Sequence, residues 1–442
     1  LWITFQNAAG EEQIEARAPY TTVLDLSEGL GWDSTDTFTQ VTIQDLRAMS
    51  STLTLAEQIE VIKRDVEKER GLKPKEDVAF EMLTPETWEE TLETEYAEDE
   101  EALHVMRDAW VLMGLLDPEV DLVRMLIELE STQVAGFYRW EENVLYVIGD
   151  GEILDPMEEL TFAHEYLHAL QDQHYGLEQI EDVGDDDQSM AFRSLAEGEA
   201  TQFTIKYLQT YLTEFEALAV VNSSSQPQLA GTSTPGILER MQIYPYEIGL
   251  DFVEVVAPGG YWPNIEKTYG DPPASTEQIL HPEKYKDEER DEPQTVQLLE
   301  ALSVLTTTWT VLDNEVGGEL WTREYLGEYV APDLAAVAAA GWDGDRYLLL
   351  EHPDDGRDIL IWQTVWDSTD DAWEFVTAHR LGLTPERGYE EVERQIQPGE
   401  RNLRWKHDDR SIYLQQRGDT TVLVFASAAQ DLDEVLALLE TK

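Results

Sequence analysis

Apolar positions along the chain alternate between helical and strand spacing, and the changes of period mark the elements. Residues 1–40 are polar, rich in Thr and Ser and weakly periodic, which predicts an extended lead-in. From Thr42 to Glu69 apolar side chains recur at helical spacing (Ile43, Leu46, Met49, Leu53, Ile59, Ile62, Val66), and Gly71 ends the run. A second helical stretch covers 85–130, broken near Asp117-Pro118. Between Val134 and Ile148, aromatic and β-branched residues flank Glu141-Glu142-Asn143, the pattern of a β-hairpin.

The next helix carries its own start and stop signals and is predicted over 156–175. Asp155 can cap it, Pro156 suits the first helical position, Glu158 completes a capping box, and Gly176 is a natural stop. An acidic loop from Glu181 to Asp187 leads to another helix, over 188–217. Residues 222–236 are rich in Ser, Thr, Gln, Pro and Gly and read as a mobile loop; the sequon at Asn222 within it carries little weight. Helical pattern with Pro-rich turns follows over 238–310. After about residue 316 a helical region gives way to strands at 347–350 and 359–366, a helix at 369–380, three strands at 402–407, 411–416 and 420–426, and a last helix at 431–440. This predicts a separate α+β module.

Composition changes the picture in two ways. Asp and Glu number 92 against 30 Lys and Arg, for a net charge of −62, and the acids are spread along the chain. Such a charge repels itself unless salt shortens the screening length, from about 8 Å at physiological ionic strength to about 3 Å at 1 M. The distribution resembles that of proteins from extreme halophiles, and with no basic patch it argues against nucleic acid as a partner. There are no cysteines, which excludes disulfides, thiolate metal sites and Cys nucleophiles. No stretch reaches the roughly 18 apolar residues of a membrane span. The chain starts at Leu1 without Met, which predicts a removed upstream segment and a place outside the cell, or in its envelope, in a high-salt organism.

Chemistry concentrates in His164-Glu165-Tyr166-Leu167-His168. Residues four apart on a helix lie about 40° from one another, so the two imidazoles share a face and can hold one Zn²⁺. Glu165 is placed to accept a proton from water activated by that ion, as a general base does. A third protein ligand has two candidates, Glu197 in Ser194-Leu-Ala-Glu-Gly-Glu-Ala200, and His174.

The Glu197 pattern resembles the gluzincin peptidases, whose third ligand is a Glu followed by Gly on the helix beside the HExxH helix. Of the Asn-Glu-Gly-Phe-Ala element of their aminopeptidase branch, Glu197, Gly198 and Ala200 agree and Ala196 and Glu199 do not. Gly198 is expected to let those two helices approach closely. His174 has the spacing of the metzincin third ligand, but Gln171 stands where that family has the Gly that breaks the helix, so Glu197 is preferred.

The resemblance implies a strand that pairs with extended substrate, for which Asn143–Gly149 is the candidate, with its edge free. An oxyanion donor is also needed; His281, within a Ser275–Tyr285 string similar to one in little-characterised proteins with this motif, is the first choice, ahead of Tyr244, Tyr246 and Tyr261. Glu199, Thr201 and Asp172 are candidates to orient the ligand imidazoles. Asp185-Asp186-Asp187 offers oxygens for Ca²⁺, though a solvated acidic loop is the plainer reading.

Together these predict an α+β protein. A lead-in at 1–40 precedes a mostly helical, zincin-like metallopeptidase core with a small sheet at 41–315, and an α+β module occupies 316–442. The expected activity is hydrolysis of a peptide or protein substrate with Zn²⁺ on His164, His168 and Glu197. Two other readings stay open: a non-catalytic zinc-binding interaction protein, and a metal-dependent hydrolase of a non-peptide amide or ester.

Overall fold

A computed structural model describes residues 2–6, 13–17, 53–178, 185–224, 236–286, 290–298, 302–397 and 399–440. The first part of the predicted 42–69 run, residues 42–52, and most of the 222–236 and 181–187 loops lie outside these residues. The protein is α+β. No described helix is long and apolar enough to cross a membrane. Contacts gather the chain into two units, one of Leu1–Leu92, Ile127–Leu177 and Ala200–Ser233, the other of Glu93–Leu126, Glu178–Glu199 and Thr234–Lys442.

In the first unit a three-stranded sheet carries the motif helix. Val144–Ile148 is its central strand, antiparallel to Gly136–Arg139 and parallel to Ala79–Leu83. The hairpin turns at Asn143, which takes φ 53°, a conformation Asn tolerates because its side chain bonds locally. Its amide donates to Asp77 O at 2.9 Å and accepts from Gln173 Nε2, with Tyr138 Oη 3.1 Å from the same amide oxygen. The helix Pro156–Tyr175 forms as its signals require: Asp155 accepts from Met157 N and Glu158 N, and Glu158 reaches back to Asp155 N. Its apolar face packs on the sheet through Phe162, whose ring meets Phe80 at 5.3 Å.

Another helix of this unit, Leu55–Arg70, is closed by a Thr54–Glu57 capping box and by Gly71 at φ 80°. Its buried positions Gln58, Ile62, Val66 and Arg70 are spaced by four, as one helical face demands. The lead-in contributes an antiparallel pair, Trp2–Gln6 with Gln13–Arg17.

The second unit is built on a seven-stranded, wholly antiparallel sheet. Its order is Thr310–Glu315, Trp342–Glu351, Asp358–Trp366, Thr420–Ala426, Arg410–Arg417, Glu400–His407, Glu390–Gln397. Alternate side chains of the central strands serve opposite faces. Ile359, Ile361, Val422 and Val424 join Leu432, Val435 and Leu439 of the helix Ala429–Glu440. On the other face Trp362 meets Phe375 of the helix Thr369–Gly382 at 6.0 Å and Tyr325 of the helix Gly318–Gly327 at 5.4 Å.

The strands expected at 347–350, 359–366, 402–407, 411–416 and 420–426 are present, the first of them starting five residues earlier, at Trp342. Thr310–Glu315 and Glu390–Gln397 do not show in the pattern, because both lie at sheet edges; the latter is exposed at every residue, so no alternation of burial marks it.

Candidate metal centre

The motif residues and Glu197 come together. One ligand atom each of His164, His168 and Glu197 lie within 4.8 Å of one another. The two imidazoles meet Nε2 to Nε2 at 3.1 Å. Two nitrogens each about 2.0–2.1 Å from a tetrahedral ion stand about 3.3–3.4 Å apart, so the pair is set almost at the spacing zinc requires.

Each ring is turned by a bond from its other nitrogen. His168 Nδ1 lies 2.7 Å from Gln171 Oε1. An amide oxygen only accepts, so the proton sits on Nδ1 and the Nε2 lone pair is left for a metal. His164 Nδ1 lies 3.1 Å from Thr204 Oγ1 on the helix Asp186–Tyr211. That unbroken helix also carries Glu197. Seven residues are nearly two full turns, so Glu197 and Thr204 share a face.

Gln171 and Thr204 are thus the orienting partners of the two rings, and of the three residues named for that task Asp172 is used otherwise. Asp172 accepts from Tyr138 Oη at 2.9 Å and Leu177 N at 3.0 Å, closing the end of the motif helix. Thr201 is buried, with no partner for its hydroxyl among the described residues, and Glu199 is fully buried. The sequence holds a signal for Gln171, which stands three positions after His168 on the same face of the helix. Thr204 belongs to another helix and has no local signature.

His174 is engaged elsewhere: its Nε2 lies 2.8 Å from Lys73 O. The helix does continue past Gln171 to Tyr175, which carries the ring away as the missing glycine requires. Beside it, Gln173 Oε1 accepts from Lys75 N at 2.6 Å and Glu76 N at 3.1 Å, so these two side chains stitch the 73–76 loop to the helix end.

Glu165 is buried, at 9% exposure. It lies against Gly136, where a Cβ would meet Thr161 Cγ2 at 2.6 Å and Glu165 Cγ at 3.5 Å. Glycine is what lets this strand reach the motif helix.

Two expectations about neighbours are corrected. Val144–Ile148 has no free edge, because the parallel strand Ala79–Leu83 occupies its far side. The free edge, among the described residues, belongs to Gly136–Arg139. Ile148 N donates to Ala135 O at 2.8 Å, so by ladder alternation the N–H and C=O groups of Gly136 and Tyr138 point away from the sheet. Gly198 serves a different crossing from the one expected. A Cβ there would stand 2.2 Å from the Gly249 carbonyl, and a Cβ at Gly249 only 1.9 Å from Ser194 O. The close approach is to the helix Gly236–Val256.

His281 lies in the second unit, where its Nε2 pairs with Glu319 Oε1 at 2.8 Å, and this bond holds the imidazole above its ordinary pKa. The atom that would donate to an oxyanion is thus spent on a buried carboxylate. Tyr244 stacks near Arg323, its centroid 5.5 Å from the guanidinium, and Tyr261 is exposed ahead of the helix Trp262–Gly270. Of the triple aspartate, Asp185 accepts from Gln188 N at the start of its helix and Asp187 is buried against Thr276. Asp187 is thus a packed residue and no part of a solvated loop.

Residues 301–436, less than a third of the chain, match the family model described as Domain of unknown function (DUF8575). The match falls on the seven-stranded sheet and its helices and leaves out His164, His168 and Glu197. No curated protein and no solved structure matches the chain.

Proposed function

We propose that the protein is a zinc-dependent metallopeptidase. The observation that carries the reading is the convergence of one ligand atom each of His164, His168 and Glu197, with the two rings facing Nε2 to Nε2 and each held from its far nitrogen. Three protein ligands leave a coordination position open, as catalytic zinc sites do and structural ones do not. Zinc bound there supplies Lewis acidity and lowers the pKa of water toward neutrality.

The chain's own groups supply the rest. Glu165, buried next to the ligands, takes and returns the proton. The outward N–H and C=O groups of Gly136 and Tyr138 offer main-chain bonds to an extended peptide, laid along the edge where Glu165 packs. That edge favours a peptide over a small amide or ester, which has no backbone to pair with it.

The reading is tested by metal analysis and peptidase assay in molar salt. Glu165→Gln is expected to keep stoichiometric zinc and lose about 10²–10⁴ in kcat, the range for a general base. Full activity with zinc bound would refute the role of Glu165. Unchanged zinc in Glu197→Ala, with zinc lost in His174→Ala, would refute the ligand set.

A further inference from the structure

The Ser275–Tyr285 string has a use in the second unit that the site chemistry does not absorb. Thr276, 1% exposed, donates to Asp187 Oδ1 from its N–H at 3.1 Å and also from its hydroxyl, and the same hydroxyl oxygen accepts from Leu320 N at 3.1 Å. Asp187 is the second residue of the helix that carries Glu197 and is 2% exposed. On its other side stands Gly318, at φ +84°, where a Cβ would lie 1.8 Å from Asp187 Oδ1. The N–H groups of Gly317 and Gly318 donate to Asp345 at 3.1 and 3.0 Å, and Asp345 accepts in addition from Trp342 Nε1 and Trp362 Nε1, inside the sheet.

Buried carboxyls tolerate few alternatives, because any slip of register strands them without partners. A one-residue slide of the helix start would unpair Asp187 and drive it into the Gly318 backbone. Further along, the Gly198–Gly249 crossing brings two backbones into contact and fixes the helix's rotation. Glu197, ten residues and about 15 Å from Asp187, follows rigidly from these two holds.

We infer that a joint of Asp187 and Thr276 with Gly318 and Asp345, the last two in the segment matched by the family model, is a positioning clamp for the third metal ligand: it sets where the Glu197 carboxylate stands. The inference rests on the metallopeptidase reading for its purpose, and on the joint alone for its mechanics.

The test uses the full chain in molar salt and three variants. Thr276→Val removes the hydroxyl with little change of shape, Thr276→Ser restores it, and Leu439→Ala weakens the sheet core away from the joint. Zinc affinity by chelator competition, amide exchange over Ser194–Glu199, and Tm are measured for each. Thr276→Val is expected to speed exchange over Ser194–Glu199 and weaken zinc about tenfold, the low end for a residue acting through a ligand. Thr276→Ser should recover both, and Leu439→Ala should lower Tm alone. If Thr276→Val lowers Tm but leaves exchange and affinity unchanged, the clamp is refuted. If Thr276→Val does not fold, Thr276→Ala, which also removes the hydroxyl and adds no bulk, stands in for it. A wild-type chain that binds no zinc would refute the metallopeptidase reading, and exchange over Ser194–Glu199 would still decide the clamp.

Discussion

Among the described residues, acidic and imidazole atoms converge within 4.8 Å at two places, His164/His168/Glu197 and Glu277/Asp291/Asp367, and the two are satisfied differently. At the second, Lys284 Nζ sits among the three carboxylates, 2.6 Å from Glu277, 2.8 Å from Asp367 and 3.1 Å from Asp291. The chain supplies its own cation. At the first, two Nε2 atoms face each other at 3.1 Å while Gln171 holds the proton of one ring on Nδ1. Lone pairs at that distance repel unless a proton or a cation stands between them. In a chain with this many acids, convergence of carboxylates alone says little about metals; paired ring nitrogens, each ring held by a bond from its other nitrogen, say more.

The sharpest break of the comparison is His168→Ala. It is expected to abolish stoichiometric zinc, a larger loss than the about 10–100-fold that an outer partner costs, with Tm in zinc-free buffer little changed. Zinc retained in this variant would put the ion elsewhere and erase the distinction between the clusters.

Lys284→Met attacks the other side. Glu277 is 1% exposed and would lose its ammonium, and removing one partner of a buried pair costs about 3–5 kcal/mol. With Asp291 and Asp367 half-open to solvent, a loss of about 2–4 kcal/mol is expected in denaturant titrations at molar salt. Millimolar Ca²⁺ should restore part of it in the variant and none in the wild type, because three carboxylates without the ammonium are an oxygen site. No loss of stability would mean the carboxylates do not need the ammonium.

What the sequence shows and hides follows the same line. The motif helix is legible to its ends because Asp155, Pro156, Glu158 and Gly176 are local signals read within one turn. Glu197 is legible through the glycine after it, although that glycine serves the crossing with Gly249. The free edge at Gly136–Arg139 is hidden because it depends on a parallel pairing with Ala79–Leu83, about 65 residues away in the chain. The role of His281 is hidden for a similar reason: the residue alone offers a donor, and only tertiary packing supplies the Glu319 that takes it. Local capping survives translation from sequence; pairing across the fold does not.

Removing the outer bonds tests whether the imidazoles owe their readiness to their far nitrogens. Gln171→Leu and Thr204→Val are each expected to weaken zinc about 10–100-fold by chelator competition while leaving the ligands in place. Gln171→Leu should cost more, because Gln171 is wholly buried and its acceptor fixes the tautomer of His168. Affinities equal to wild type would mean the ligands are held by packing alone.

The smallest effect comes from a third way of housing a buried acid. Glu159, on the motif helix, accepts from Tyr207 Oη at 3.1 Å and has neither an ammonium nor an imidazole in that role. Burial pushes its carboxyl up to about 7, with the Tyr207 hydrogen bond opposing the shift. A folded pKa above the ordinary 4.5 means that the native state holds the proton more tightly than the unfolded chain. Its contribution is therefore present below about 4.5, falls as pH rises toward 7, and is lost above that. Glu159→Gln keeps an acceptor for Tyr207 and removes the titration. The variant is expected to gain about 1–3 kcal/mol over wild type at pH 8 and nothing at pH 4, by denaturant titration at fixed salt. An equal difference at both pH values would show that the Glu159 carboxyl holds its proton no more tightly in the fold than in the unfolded chain.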